Sequence, residues 1–208
     1  MKDNKKRTLG ICILLLYICS IHFAGCVELQ CAYVNESVIS EGWHQNTALR
    51  NSGTHFLGLE KWCSVTYEIK GNFPATLTIS SLKTLVLSDK EAIEQQVRYT
   101  IEETFVDALR LEYNSSGKRT LDNSHQTLYV LYDGIDLATD NQIKIIGEVW
   151  NCATVGTSII CIGIAYVTNS NIPNVINTIH WEKIVSDRFG TISDIIGEDG
   201  LINNIKCH

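Results

Sequence analysis

Between residues 62 and 80 the chain alternates apolar and polar positions, with Cys63, Val65, Tyr67 and Ile69 on one side of a first run. Gly71-Asn72 interrupts it, and Phe73, Ala75, Leu77 and Ile79 resume the period of two expected of half-buried strands. Pro74 places the start of this second strand at an edge. The period then changes. Ile93, Val97, Ile101, Phe105 and Leu109 recur every four residues, with Glu94, Gln95, Arg98, Glu102 and Glu103 between them. This predicts an amphipathic helix to about Tyr113, opened by a capping box over Ser88-Asp89-Lys90-Glu91. A loop is expected over 114–126, a strand over Thr127–Leu137, and a second helical stretch from Asn171–Pro173 to about Phe189. Thr191–Ile196 reads as a last strand or a further helical turn, and residues 27–61 as an irregular N-terminal segment.

Residues 143–153 and 158–167 are both rich in β-formers and flank Val155-Gly156-Thr157-Ser158. A two-residue turn at Gly156-Thr157 would make them a hairpin. If Val155 faces Ser158, Cys152 falls opposite Cys161 in a non-hydrogen-bonded pair, at a Cα spacing of about 4.5–5.5 Å that a disulfide can bridge. The elements together predict an α+β fold: an antiparallel sheet with two helices packed on one face, as a sandwich.

The first 25 residues change where this fold is expected to work. Lys2, Lys5, Lys6 and Arg7 precede an apolar run from Leu9 to Gly25, the arrangement of a secretory signal. Three readings stay open. The leader is cleaved between Ser20 and Cys26, or Phe23-Ala24-Gly25-Cys26 is a lipobox whose Cys26 sulfur carries lipid, or residues 1–25 remain as a signal anchor. Each delivers one exported domain, residues 26–208 with a core over 62–198, to the cell surface or beyond. The N-terminus is its expected route of membrane attachment.

Composition narrows the classes further. With 45% hydrophobic and 19% charged residues, 14 glycines and 2 prolines, the 208-residue chain is neither disordered, collagen-like nor coiled coil. Its formal charge is −6. Removing residues 1–25 takes away four basic groups and one acidic group, leaving 13 basic and 22 acidic residues and a charge of −9. That balance excludes nucleic acid as an expected partner, because such binding rests on phosphate neutralisation.

Cys31 and Cys63 are also disulfide candidates, and the connectivity of Cys26, Cys31, Cys63 and Cys207 is open. No Cys/His group has zinc-finger spacing, so no metal and no cofactor is expected. Asn35-Glu36-Ser37 and Asn114-Ser115-Ser116 are glycosylation sequons. Asp133, Asp136 and Asp140 read as solvated turn acids, and the histidines are scattered.

From Ala75 to about Glu198 the chain resembles the SEA domain, an extracellular module of membrane-tethered proteins. Leu77-Thr78-Ile79 stands for the family's first strand, residues 88–112 for its first helix, and Gly156-Thr157-Ser158-Ile159-Ile160 for its glycine-serine turn. The resemblance implies self-cleavage of the Gly156–Thr157 bond, with Thr157 as nucleophile where the family has serine. The function expected is that of a non-catalytic surface domain, acting on an unidentified extracellular protein or surface ligand. The alternatives are an exported hydrolase built from His and acidic residues, and a purely structural surface component.

Overall fold

A computed structural model describes residues 29–55, 59–84, 89–185 and 200–207. The strands are β1 (Tyr33–Val34), β2 (His44–His55), β3 (Glu60–Ile69), β4 (Ala75–Lys83), β5 (Leu109–Thr120), β6 (Gln126–Asp136), β7 (Gln142–Cys152), β8 (Thr157–Tyr166) and β9 (Ile205–Lys206). The helices are α1 (Lys90–Phe105) and α2 (Ile179–Val185), with 3-10 turns at Glu36–Val38 and Ile202–Asn204. Seven strands form one antiparallel sheet in the order β2-β3-β4-β8-β7-β6-β5. Two meanders, β2-β3-β4 and β5-β6-β7-β8, are joined by α1 and zipped together where β4 meets β8. β1 and β9 pair separately as a two-stranded ribbon.

The expected antiparallel sheet and two helices are present, but the helices do not share a face. Ile93, Val97 and Ile101 of α1 pack against Val130, Tyr132, Ile145 and Val149. Trp181, Ile184 and Val185 of α2 pack with Ile146 and Trp150, of opposite parity to Ile145 and Val149 on β7, and with Ile159 and Ala165 of β8, whose alternate residues Ile160, Ile162 and Ile164 pack on the α1 side. Both strands of the central pair β7–β8 are therefore apolar on both sides. Two glycines admit the helices. A Cβ at Gly147 would lie 2.6 Å from Val97 Cγ1, and one at Gly163 would lie 2.6 Å from Ile184 Cγ2.

The β7–β8 hairpin exists, but in another register. Cys152 pairs with Thr157 and Cys161 with Glu148, and the turn is the four residues Ala153–Gly156. Cys152 and Cys161 thus lie on one face but four positions apart along the strand, about 13 Å, and both are buried free thiols. A slip of an even number of residues keeps every side chain on its face, so the apolar pattern alone cannot distinguish the two registers. The observed turn puts Gly156 at φ +62°, the left-handed conformation that glycine adopts without strain.

Other boundaries moved as well. α1 ends at Phe105, and β5 occupies residues expected as helix end and loop. Residues 44–55, expected to be irregular, form β2. β2 and β5 are the two sheet edges, mostly solvent-exposed on both sides, and each carries a register shift. Polar, bulged edges resist pairing with other chains, and they carry no apolar period to read. β4, which Pro74 had placed at an edge, is interior, with the proline just before its first residue. The second helix begins later than expected, at Ile179, and its described part runs to Val185. The leader, Cys26, Ser88 of the capping box and Thr191–Ile196 lie outside the described residues.

Candidate functional site

The N-terminal segment crosses the α2 side of the sheet and is fastened there by side chains. Ala32 N–H donates to Ser81 Oγ at 2.8 Å, and Val34 N–H donates to the Tyr67 hydroxyl at 3.0 Å. Cys31 is disulfide-bonded to Cys63 of β3, with Cα atoms 5.6 Å apart. Cys63, Tyr67 and Ser81 are buried on one face because β3 and β4 alternate in register with each other. The ribbon of β1 and β9 continues this layer, and Asn35 N–H donates to Asn204 O at 3.1 Å.

Between this layer and β2–β3 lies a cleft of about 590 Å³, lined by Cys31, Tyr33, Glu36, Gln45, Arg50 and Tyr67 among others. Its volume is that of small-ligand pockets. Its lining residues carry one guanidinium, one carboxylate, an amide and two phenols beside the apolar Val34, Ile39 and Val65. Burial pushes the Tyr67 phenol up, so it offers a hydroxyl at neutral pH and not a base. This arrangement can bind by hydrogen bonds, one cation and apolar contact.

Of the residues singled out from sequence, Cys31 and Cys63 come together and Cys152 and Cys161 do not. Cys207 is a third buried free thiol, pushed up to about 12 by burial and by Cys152 beside it. A cysteine nucleophile needs the opposite shift. Asn35 is half-buried and its side-chain oxygen accepts from Ser37 N–H, capping the 3-10 turn. Asn114 is exposed on β5 and its amide donates to Asp133. Thr157 is buried, and its hydroxyl donates to the Val155 carbonyl at 3.4 Å.

Asp133 and Asp136 have structural work, while Asp140 is exposed. Burial would raise the Asp133 carboxyl, but Lys144 at 2.7 Å and Asn114 more than offset this and hold it low. Asp136 accepts from the Tyr166 hydroxyl at 2.7 Å and from Ala138 and Thr139 N–H, which also lowers it. Among the histidines, His44 lies 3.3 Å from Glu68 and His180 stands edge-on to Trp43.

Sequence reading missed a buried polar centre. Glu148, fully buried on β7, accepts from Arg119 Nε at 2.7 Å, from Arg119 Nη2 and from the Thr127 hydroxyl. Arg119 Nη1 donates to Val185 O at 2.7 Å, at the end of α2. A lone Glu in an apolar strand was the available signal, since a buried carboxylate demands a partner. No family model, curated protein or solved structure matches the chain. Among the described residues, no helix is long and apolar enough to cross a membrane.

Proposed function

We propose that the chain is an exported domain that acts by binding rather than catalysis, with its ligand seated in the cleft beside Cys31–Cys63. The observation that supports this reading is the disulfide itself. The segment that follows the leader is bonded covalently to the sheet, a linkage that persists in oxidising compartments and is rare in the cytosol. The same bond shapes one wall of the cleft, so oxidation and a formed binding site go together. The SEA-like likeness, with cleavage at Gly156–Thr157, belongs to the same surface-domain reading.

Two measurements test it. Intact-mass analysis of the protein from its host, with and without reductant, is expected to show a processed or lipidated N-terminus and a Cys31–Cys63 bond. Glycans on Asn35 or Asn114 and any break at Gly156–Thr157 would appear in the same spectrum. A fragment screen followed by amide shifts is expected to move Tyr33, Gln45 and Arg50 first. An unprocessed cytosolic chain with alkylatable Cys31 and Cys63 would overturn the address. Fragments that never select the cleft would overturn the site.

A further inference from the structure

A second constellation lies apart from the cleft. His125 is in the β5–β6 loop, Cys152 ends β7, and Cys207 directly follows β9. Their ligand atoms all lie within 4.8 Å of one another, and Cys207 Sγ is 3.6 Å from His125 Nε2. Cys152 is fully buried and Cys207 is 4% exposed. Cys207 and His125 are 82 residues apart in the chain, so sequence spacing conceals the group and the expectation of no metal was drawn without it.

Three soft donors from three segments suit a thiophilic divalent ion. In a tetrahedral zinc site, with Zn–S of about 2.3 Å and Zn–N of about 2.0–2.1 Å, the sulfur and nitrogen ligands stand about 3.5 Å apart. The Cys207–His125 separation matches that edge. A thiol-to-imidazole hydrogen bond would account for this pair but not for the second thiol held within the same 4.8 Å.

A further observation points the same way. Trp150 is fully buried, and its indole Nε1–H has no hydrogen-bond partner among the described residues. Trp150 shares one face of β7 with Cys152, two residues away. A buried orphan donor is costly beside a neutral thiol or a disulfide sulfur, both weak acceptors. Beside a metal-bound thiolate it becomes the outer hydrogen bond that such sulfurs commonly receive. The His125 ring stacks on the same indole, with centroids 6.4 Å apart and planes at 27°, which orients Nε2 toward the sulfurs.

We infer that His125, Cys152 and Cys207 form a zinc site in which water completes the tetrahedron and Trp150 donates to the Cys207 thiolate. Binding releases the two thiol protons and requires no oxidant or reductant. The ion would tie the C-terminal strand to β7 and to the β5–β6 loop, fastening the chain end opposite to the one held by Cys31–Cys63. Zinc ligation would also shield both thiols from oxidation in an exported protein. This inference does not depend on the cleft or its ligand.

The test uses the protein as its host makes it, without added reductant, so that Cys31–Cys63 stays intact. Metal analysis is expected to find about one zinc per chain. After chelation, cobalt(II) is expected to bind at one equivalent, with a thiolate-to-cobalt charge-transfer band and visible bands of tetrahedral intensity. His125→Asn, in a half-exposed loop, should stay folded by circular dichroism while cobalt affinity falls at least about tenfold, and Trp150→Phe should lower it by about tenfold with the band retained. Cys207→Ser should lower cobalt affinity and weaken the band to about half or less, since one of the two thiolates is gone, and Cys161→Ser should keep it. Folded protein that takes up neither ion overturns the inference. So does a Cys152–Cys207 disulfide in the non-reduced mass, or His125→Asn binding cobalt as tightly as the parent.

Discussion

Arg119→Met isolates the cost of stranding a buried charge in this fold. Glu148 has no solvent contact, and Arg119 supplies two of its three donors and the compensating charge. Only the Thr127 hydroxyl would remain. Breaking a buried pair from one side typically costs about 3–5 kcal/mol. A domain of this kind has about 5–15 kcal/mol in total, so the variant should lose about a fifth of its stability or more. Arg119 also holds the Val185 carbonyl of α2, so amide exchange over Ile179–Val185 should accelerate. The assay is equilibrium urea unfolding followed by tryptophan fluorescence, for the parent, Arg119→Met, Glu148→Leu and the double variant. The loss in the double variant should be at least about 2 kcal/mol smaller than the sum of the single losses, because removing both charges leaves neither one unpaired. A loss below about 1 kcal/mol for Arg119→Met, or strict additivity, would show that the carboxylate finds water or another partner and would refute the reasoning.

The remaining predictions are independent of that centre. Cys31→Ser should cost about 3.7 kcal/mol, from the chain entropy of a loop closed over a separation of 32 residues; a parent whose urea midpoint ignores reductant would contradict this. Gly163→Ala should cost about 1–3 kcal/mol through overlap with Ile184 Cγ2, and because Ile184→Ala removes that methyl it should cost less in the Gly163→Ala chain than in the parent. Asp136 and Glu68 have depressed carboxyls, the first through Tyr166 and backbone N–H groups, the second through Asn46 and Lys70. Their contribution is fully present above the unfolded values of about 3.9–4.3 and is lost as pH falls through the lower folded values. Stability should therefore be flat down to about pH 5 and fall below about pH 4, and Asp136→Asn should make that fall shallower. An unchanged acid profile in the variant would count against the assignment.

The strands that can be recognised from their residues are those with one buried side or two. β3, β4, β7 and β8 show an apolar period or run because burial selects side chains at every second position or at all of them. The same logic finds α1 through Ile93, Val97 and Ile101. It does not find β2 or β5, whose edges face water and whose residues are polar on both sides. In the cleft, Cys31 and Cys63 were recognisable as disulfide cysteines, while Arg50 and Gln45 were not. β2 has no readable period, so nothing in it marks a side chain as facing a site.

Sequence by itself determined the basic and then apolar run at the N-terminus, the antiparallel character of the core and the face on which each hairpin residue lies. These are local properties: a charge run, a period, a parity. Tertiary structure decided the β7–β8 register, the opposite placement of α1 and α2, and the meeting of His125, Cys152 and Cys207. An even register slip leaves local pattern unchanged, so only packing selects the pairing that sets Glu148 opposite Cys161 and within reach of Arg119. Ligands drawn from a loop, a strand end and the C-terminal segment share no spacing in the chain, and only the folded sheet gives them a common point.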